Sequence, residues 1–448
     1  MFSPRITPMA ITEQVPDTRL KRGISGPLLY LFILGDVLGA GVYALVGVIS
    51  EQVGGAIWVP LMVALALALL TAGSYAELVT KYPKAGGAAV FAERAFRKPF
   101  ISFLVGFCML AAGVTSAAGL AQAFAGGYLT TFIDVPAVPA SLVFLVLLAL
   151  LNMRGIKESV RSNVVMTVIE VSGLVLVIVV VGIFVGGGNG DISRVTEFPP
   201  GVGVASATLS AALIAYYSFV GFEVSANVAE EVEDVSRVYP RAIFGALLTA
   251  GVVYLLIGLA SSAALAPEQL AGSSSPLLDV VAATGAGIPN WLFSLVALIA
   301  VANGALLTMI MSSRLTYGMA EQGLFPSVFD RVLPNRRTPW VAIIATTLVA
   351  MALTLTGGLE SLSQTVVLLL LFVFLSTNIA VIVLRKDPVD HRHFRIPAIF
   401  PYLAIASCLL LLTQQTGEIW LRAGILLALG LALYGVQHLV RGRTKTAR

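Results

Sequence analysis

Leu34-Gly35-Asp36-Val37-Leu38-Gly39-Ala40-Gly41-Val42-Tyr43 is the stretch on which the reading of this chain turns. It sits inside an apolar run long enough to cross a lipid bilayer, yet it packs three glycines and an acid into seven residues from Gly35 to Gly41. A helix in lipid satisfies its own backbone, so such a cluster predicts backbone opened where a cavity, and not lipid, surrounds it. The competing reading is tight helix packing through small residues, and the glycines alone do not choose between them.

Outward from that stretch, apolar runs recur to Val440. They predict twelve spans, at roughly 26–49, 57–78, 99–130, 137–153, 162–185, 203–229, 242–266, 290–321, 339–356, 361–384, 397–415 and 419–440. The composition agrees: 58% apolar and 12% charged over 448 residues is far from the soluble average of about 45–50% and 25%. The sixth span carries a counterpart to the first, Ala215-Tyr216-Tyr217-Ser218-Phe219-Val220-Gly221-Phe222-Glu223-Val224-Ser225-Ala226-Asn227, again with a glycine and an acid near its middle. Interrupted helices at corresponding places in two halves are the sequence mark of a transporter site built from inverted repeats. Because each half has five spans, an odd number, the second enters the membrane upside down.

A formal charge of +4 would suit an anionic partner such as nucleic acid, so the placement of the basic residues decides. Of 28 Lys and Arg, 26 fall in alternate loops and the two tails, leaving only Arg194 and Arg422 on the other side. By the positive-inside rule the crowded side is cytoplasmic, which predicts both termini inside and a multi-pass protein of the cell membrane. The basicity is therefore topological, and no nucleic-acid partner is implied. The N-terminal tail carries Arg5, Arg19, Lys21 and Arg22, but the run after it is too long for a signal-peptide core, so no cleavage is expected. Cys108 and Cys408 lie in spans and read as small core residues; His391, His393 and His438 read as surface residues, with no metal site expected. No cofactor is implied.

Three acids, Asp36, Glu170 and Glu223, fall within spans where no Lys or Arg lies at comparable depth. Each costs about 2.5–3.5 kcal/mol at a helix centre on insertion scales, so relief must come from protonation, polar neighbours, a bound cation or the substrate's amine. The structural alternative is a permanently protonated acid bonded to a carbonyl. Asn163, Thr167 and Glu170 recur at i, i+4 and i+7 and give the fifth span one polar face. Turned inward, that face makes Glu170 a candidate proton carrier, because loss of water favours the neutral acid. Asn303, midway along the eighth span, is a candidate to share its surroundings.

The break itself suits a zwitterion. Free amides at a half-helix N-terminus attract a carboxylate, and unpaired carbonyls nearby accept an ammonium group. Tyr217 and Phe219 are candidate lids over such a ligand, although aromatics in spans are more often filler.

Four stretches, the opening one included, carry a resemblance to a known family. Gly35 to Tyr43 is followed by Tyr75-Ala76-Glu77-Leu78 with Pro83-Lys84-Ala85-Gly86-Gly87-Ala88; then come Gly221-Phe222-Glu223 with Ala229-Glu230-Glu231 and Pro240-Arg241-Ala242-Ile243, and last Ser313-Arg314-Leu315-Thr316-Tyr317-Gly318-Met319-Ala320 with Gly323-Leu324-Phe325-Pro326. In this order the chain resembles the amino acid-polyamine-organocation permeases over nearly all of spans one to ten. The resemblance implies an all-α membrane protein of two five-helix inverted repeats, at 26–185 and 203–384, with helices 1 and 6 broken. Two peripheral helices at 397–440 follow, with cytoplasmic tails at 1–25 and 441–448. It also implies that the substrate carboxylate meets amides of Gly39, Ala40 and Gly41, that its amine faces carbonyls near Val37 and Ser218, and that Phe219, with Tyr217 and Val220 close by, shields it.

Two departures from the family pattern matter. Aligned through Val160-Arg161-Ser162-Asn163, Glu170 stands where some proton-coupled relatives have a lysine, and Val235 stands where relatives usually have a proline. A lysine there mimics a bound cation, whereas a glutamate can take a proton or help ligate sodium. The expectation is thus a secondary carrier of amino acids or related amines, not an enzyme, working by alternating access with a proton as coupling ion. Exchange of one amino acid or polyamine for another, sodium symport, and a non-transporting sensor or channel are the alternatives.

Overall fold

A computed structural model of the chain describes residues 23–84, 86–154, 160–334, 336 and 338–446. The basic tail before residue 23 and the side chain of Asn163 lie outside the described residues. Among them the protein is all-helical: α1 Gly26–Leu38, α2 Ala40–Val53, α3 Trp58–Lys81, α4 Gly87–Phe96, α5 Pro99–Phe124, α6 Gly127–Thr130, α7 Ala137–Met153, α8 Val160–Gly186, α9 Val204–Tyr217, α10 Val235–Ala264, α11 Pro267–Ala271, α12 Pro276–Ala283, α13 Asn290–Glu321, α14 Trp340–Thr354, α15 Leu359–Leu384, α16 Ile399–Thr413 and α17 Gly417–Thr446.

Eight stretches are long and apolar enough to cross a bilayer, α1 and α2 together form a ninth bent by 40°, and α7, α14 and α16 are shorter apolar helices. These are the twelve spans expected. The short ones cover only roughly 22–26 Å at 1.5 Å per residue, and exposed apolar neighbours such as Ile133 and Leu355 extend their surface towards the full hydrocarbon thickness.

Burial confirms lipid as the solvent. On α8, Val165, Val168, Val175, Val179 and Ile183 are exposed at helical spacing, while Thr167, Glu170, Leu174 and Val177 on the opposite side are fully buried. A helix that shows valines outward and hides a glutamate inverts the pattern of a water-soluble protein. At the centre, α5 is buried along nearly its whole length and lies between α13 and α15. α10 packs on α3 and α1, and α1 packs on α8.

Three helices escaped the span reading. α4 is an amphipathic helix of ten residues that follows α3, with Ala88, Phe91 and Ala92 buried. α11 and α12 lie in the connection between α10 and α13. Each is too short to read as a span, and their apolar faces are completed only by distant elements.

The face bearing the basic residues is tied shut by long-range bonds. The Glu77 carboxylate accepts from Arg385 Nε at 2.7 Å and Nη2 at 2.6 Å, and also from the Ile396 amide at 3.1 Å. Arg385 Nη2 donates further to the Ile396 carbonyl at 2.8 Å, and Lys81 donates to the Asp387 carbonyl at 2.6 Å. The loop after α15 is thereby locked to the end of α3. Beside it, Tyr75 meets the rings of Phe91, Phe222 and Phe374 edge-on. The start of α1 is pinned by amides of Gly23 and Ile24 donating to the Glu231 carbonyl, each at 3.0 Å.

Candidate functional site

Both predicted breaks are present and they touch. α1 ends at Leu38, Gly39 leaves helical geometry with φ −46° and ψ −159°, and α2 starts at Ala40. α9 ends at Tyr217, and after a turn the chain resumes as a 3₁₀ segment over Phe222–Glu231. The turn depends on Gly221, whose φ of +126° is a conformation that L side chains rarely adopt. A Cβ there would lie 2.8 Å from the Asp36 carbonyl oxygen, and one on Gly41 would lie 2.9 Å from Ser218 Cα. Only hydrogen at both positions lets the two broken helices meet backbone to backbone.

Between them runs a cavity of about 70 Å³. A water needs about 10–15 Å³ by this measure, so the space holds on the order of five waters, the scale of a small organic molecule. Asp36, Val37, Gly39, Gly41, Tyr217, Ser218, Val220 and Glu223 all line it. Ala40 opens α2 beside them, its side chain outside the described set. The first amides of α2 have no side-chain cap, and a fourteen-residue helix puts its positive end there.

The two candidate lids are placed differently: the ring of Phe219 is fully buried, does not line the cavity, and packs against Tyr254 with ring centroids 5.1 Å apart. The aromatic facing the cavity is Tyr217, whose hydroxyl meets Ser116 of α5 at 2.9 Å. α9 stops at Tyr217, so residue 219 lies in the turn beyond the helix.

Tyr254 of α10, overlooked in the sequence, joins the two breaks. Its hydroxyl donates to the Val37 carbonyl at 2.6 Å and lies 3.0 Å from that of Ser218. The two carbonyls expected for a substrate amine thus each have a protein neighbour, and each oxygen keeps a second acceptor position. Ser116 and Gly113 of α5, Gly304, Thr308 and Met311 of α13, and Val366 and Leu370 of α15 complete the wall. The small-residue run Ala111-Ala112-Gly113-Val114-Thr115-Ser116-Ala117-Ala118-Gly119 was the signal available for α5.

Glu170 and Asn303 are not on that wall; they form a second polar site behind α1. Asn303 donates to Glu170 Oε1 at 3.0 Å, while Glu170 Oε2 is buried with no hydrogen-bond partner among the described residues. Thr167, one turn earlier, lies against Gly35 of α1. Tyr43 donates to the Glu170 main-chain carbonyl at 2.7 Å, fixing α2 to α8. Asp36 lines the cavity, while the adjacent Gly35 lies against Thr167 of α8, so this part of α1 meets both the cavity and the helix that carries Glu170.

A family model described as amino acid permease matches residues 25–419. Among characterised proteins, the branched-chain amino acid permease BcaP of Bacillus subtilis (strain 168) is 27% identical over 93% of this chain and 92% of that protein. A methylthioribose transporter of the same organism is 26% identical, over 95% of each chain. The vacuolar cationic amino acid transporter 4 of Arabidopsis thaliana is 28% identical over 83% of this chain and 64% of that protein.

Proposed function

The chain belongs to the amino acid permease family, and from that premise we propose that it is a secondary active carrier that moves amino acids across the cell membrane by alternating access, in symport with protons. The observation that carries this reading is the closed contact of two broken helices around a mid-span cavity that ends on uncapped helix amides. A substrate carboxylate fits the α2 N-terminus at Gly39 to Gly41, where the dipole and free amides favour an anion. The ammonium group fits the opposite end of the break, near Asp36 and the Val37 and Ser218 carbonyls, with Tyr217 over the ligand. In this account the halves 26–185 and 203–384 are inverted repeats, α16 and α17 lie outside the transport core, and both termini are cytoplasmic.

Glu170 supplies the coupling. One of its oxygens is held by Asn303 and the other has no hydrogen-bond partner among the described residues, so a proton can be taken up without dismantling the site. Thr167, one turn before Glu170 on α8, lies against Gly35 beside Asp36, and this contact offers a route from proton binding to the break. Because such a coupling needs differential interaction with two states, the proton must favour one side's opening over the other's.

Obligate exchange is a second reading, favoured by Glu223 lining the cavity itself, where each incoming cation would replace the last. Proteoliposomes separate the two. Uptake of a radiolabelled amino acid into empty vesicles under an inward proton gradient supports symport, uptake only into preloaded vesicles supports exchange, and dependence on a sodium gradient assigns the Glu170 site to that ion. Absence of saturable uptake under all three conditions would overturn the carrier reading.

A further inference from the structure

A larger cavity, of about 460 Å³, opens between the start of α1 and the start of α10. The Ser236 hydroxyl beside it donates to the Arg392 carbonyl at 3.0 Å, which places the opening on the face bearing the basic residues. Arg237 and Arg241, one turn apart on α10, stand at its rim. Both are exposed, and neither guanidinium has an ion-pair partner among the described residues. Asp234 lies on the same wall, so the two arginines leave it with a net positive charge. The N-terminus of α1, a thirteen-residue helix with no side-chain cap, closes the other side through Pro27 and adds the positive end of its dipole.

Below the rim the cavity turns apolar. Val238 and the ring of Tyr30 line it, and Tyr30 reaches further along α10, its hydroxyl donating to Thr249 at 2.8 Å. The outer face of α10 continues in the same direction: Leu248, Val252 and Leu256 are exposed, and with Arg237 and Arg241 they form one stripe at helical spacing. At 1.5 Å per residue, Leu248 lies roughly 10 Å and Leu256 roughly 22 Å beyond Arg241. In a bilayer the headgroups reach about 20–22 Å from the midplane. With the arginines at headgroup level, the stripe therefore runs to the bilayer centre, the length of one acyl chain. A soluble anion would use the arginines alone and a neutral lipid the stripe alone; their continuity on one helix face favours a ligand with both parts.

We propose that this cavity binds an anionic phospholipid, with the headgroup phosphate between Arg237 and Arg241 at the α1 N-terminus and one acyl chain along Leu248, Val252 and Leu256. Basic pockets between membrane helices take such headgroups. The bound lipid joins α1, which ends at the first break, to α10, which carries Tyr254.

The test is native mass spectrometry of the full-length protein in detergent with an equimolar mixture of palmitoyl-oleoyl phosphatidylglycerol and phosphatidylcholine. The wild type is expected to retain phosphatidylglycerol by roughly thirtyfold, the ratio that two basic residues at about 1 kcal/mol each supply. Arg237→Gln with Arg241→Gln should bring the ratio near unity. Arg331→Gln with Lys386→Gln, which removes the same charge from exposed positions after α13 and α15, should leave it unchanged. Excess inorganic phosphate should not displace the lipid, and dihexanoyl phosphatidylglycerol, whose chains stop short of Val252, should be held at least tenfold more weakly than the long-chain lipid. A wild-type ratio near unity, an equal loss in the Arg331 and Lys386 variant, displacement by phosphate, or equal retention of the short-chain lipid would each overturn the proposal. If the double arginine variant is not recovered folded, Arg241→Gln alone decides, with an expected loss of about fivefold.

Discussion

Replacing Gly221 by alanine tests whether contact between the breaks is what organises this protein. Two costs add. The φ of +126° is nearly closed to a residue with a Cβ, which costs about 1–3 kcal/mol when the surroundings enforce it. The new Cβ would also stand 2.8 Å from the Asp36 carbonyl oxygen, roughly 0.5 Å inside a comfortable carbon–oxygen contact. The atoms it meets are the Asp36 carbonyl and Cγ, so no remote side-chain rotation relieves the clash. Overpacking of this kind costs about 1–3 kcal/mol, and with the strain the expected total is about 2–6 kcal/mol. The displacement falls on Asp36 and on the Val37 carbonyl held by Tyr254, so uptake should be lost along with stability. Thermal unfolding in detergent and initial uptake rates in proteoliposomes read both effects. Gly182→Ala is the matched control, since nothing lies within 4 Å of a Cβ there. A Gly221→Ala protein that melts and transports like Gly182→Ala would refute the reasoning.

Arg385→Ala should destabilise the protein by about 3–5 kcal/mol, because it strands the buried Glu77 carboxylate, and thermal unfolding measures it. Arg385→Lys should recover little, since an ammonium group cannot make the two parallel bonds; full recovery would show that the planar fork is irrelevant. Tyr254→Phe keeps the contact with Phe219 but removes the hydroxyl between the Val37 and Ser218 carbonyls. It should cost about 1–3 kcal/mol and raise the substrate concentration for half-maximal uptake; a variant unchanged in both would remove Tyr254 from the account.

The membrane character and the two breaks were legible because they depend on local composition. Apolar runs, charge sorting and glycines beside an acid need no knowledge of distant residues. The Glu170 and Asn303 pair was legible for a related reason: a polar residue in an apolar span has few places to go, and two such residues tend to meet. What the sequence hid depends on long-range partners or on broken geometry. Glu77 and Arg385 are 308 residues apart, and nothing local couples them. Tyr254, set among valine and leucine, looks like filler until its hydroxyl is seen between two carbonyls. Tyr217 and Phe219 are both candidate lids, and only the fold shows that Tyr217 lines the cavity while Phe219 packs against Tyr254. α4 is legible only as an amphipathic decade of residues with no partner named until the fold supplies it.

The central claim is that a proton moves with the amino acid and that Glu170 carries it. The direct measurement is lumenal pH in proteoliposomes loaded with a pH-sensitive dye, recorded as the amino acid established as substrate is added outside with no imposed proton gradient, for the wild type and for Glu170→Gln. The account predicts that the wild-type lumen acidifies with substrate entry, and that Glu170→Gln gives no acidification while still supporting counterflow between substrate pools. Acidification of equal extent in Glu170→Gln, or none in the wild type despite net uptake, would contradict it.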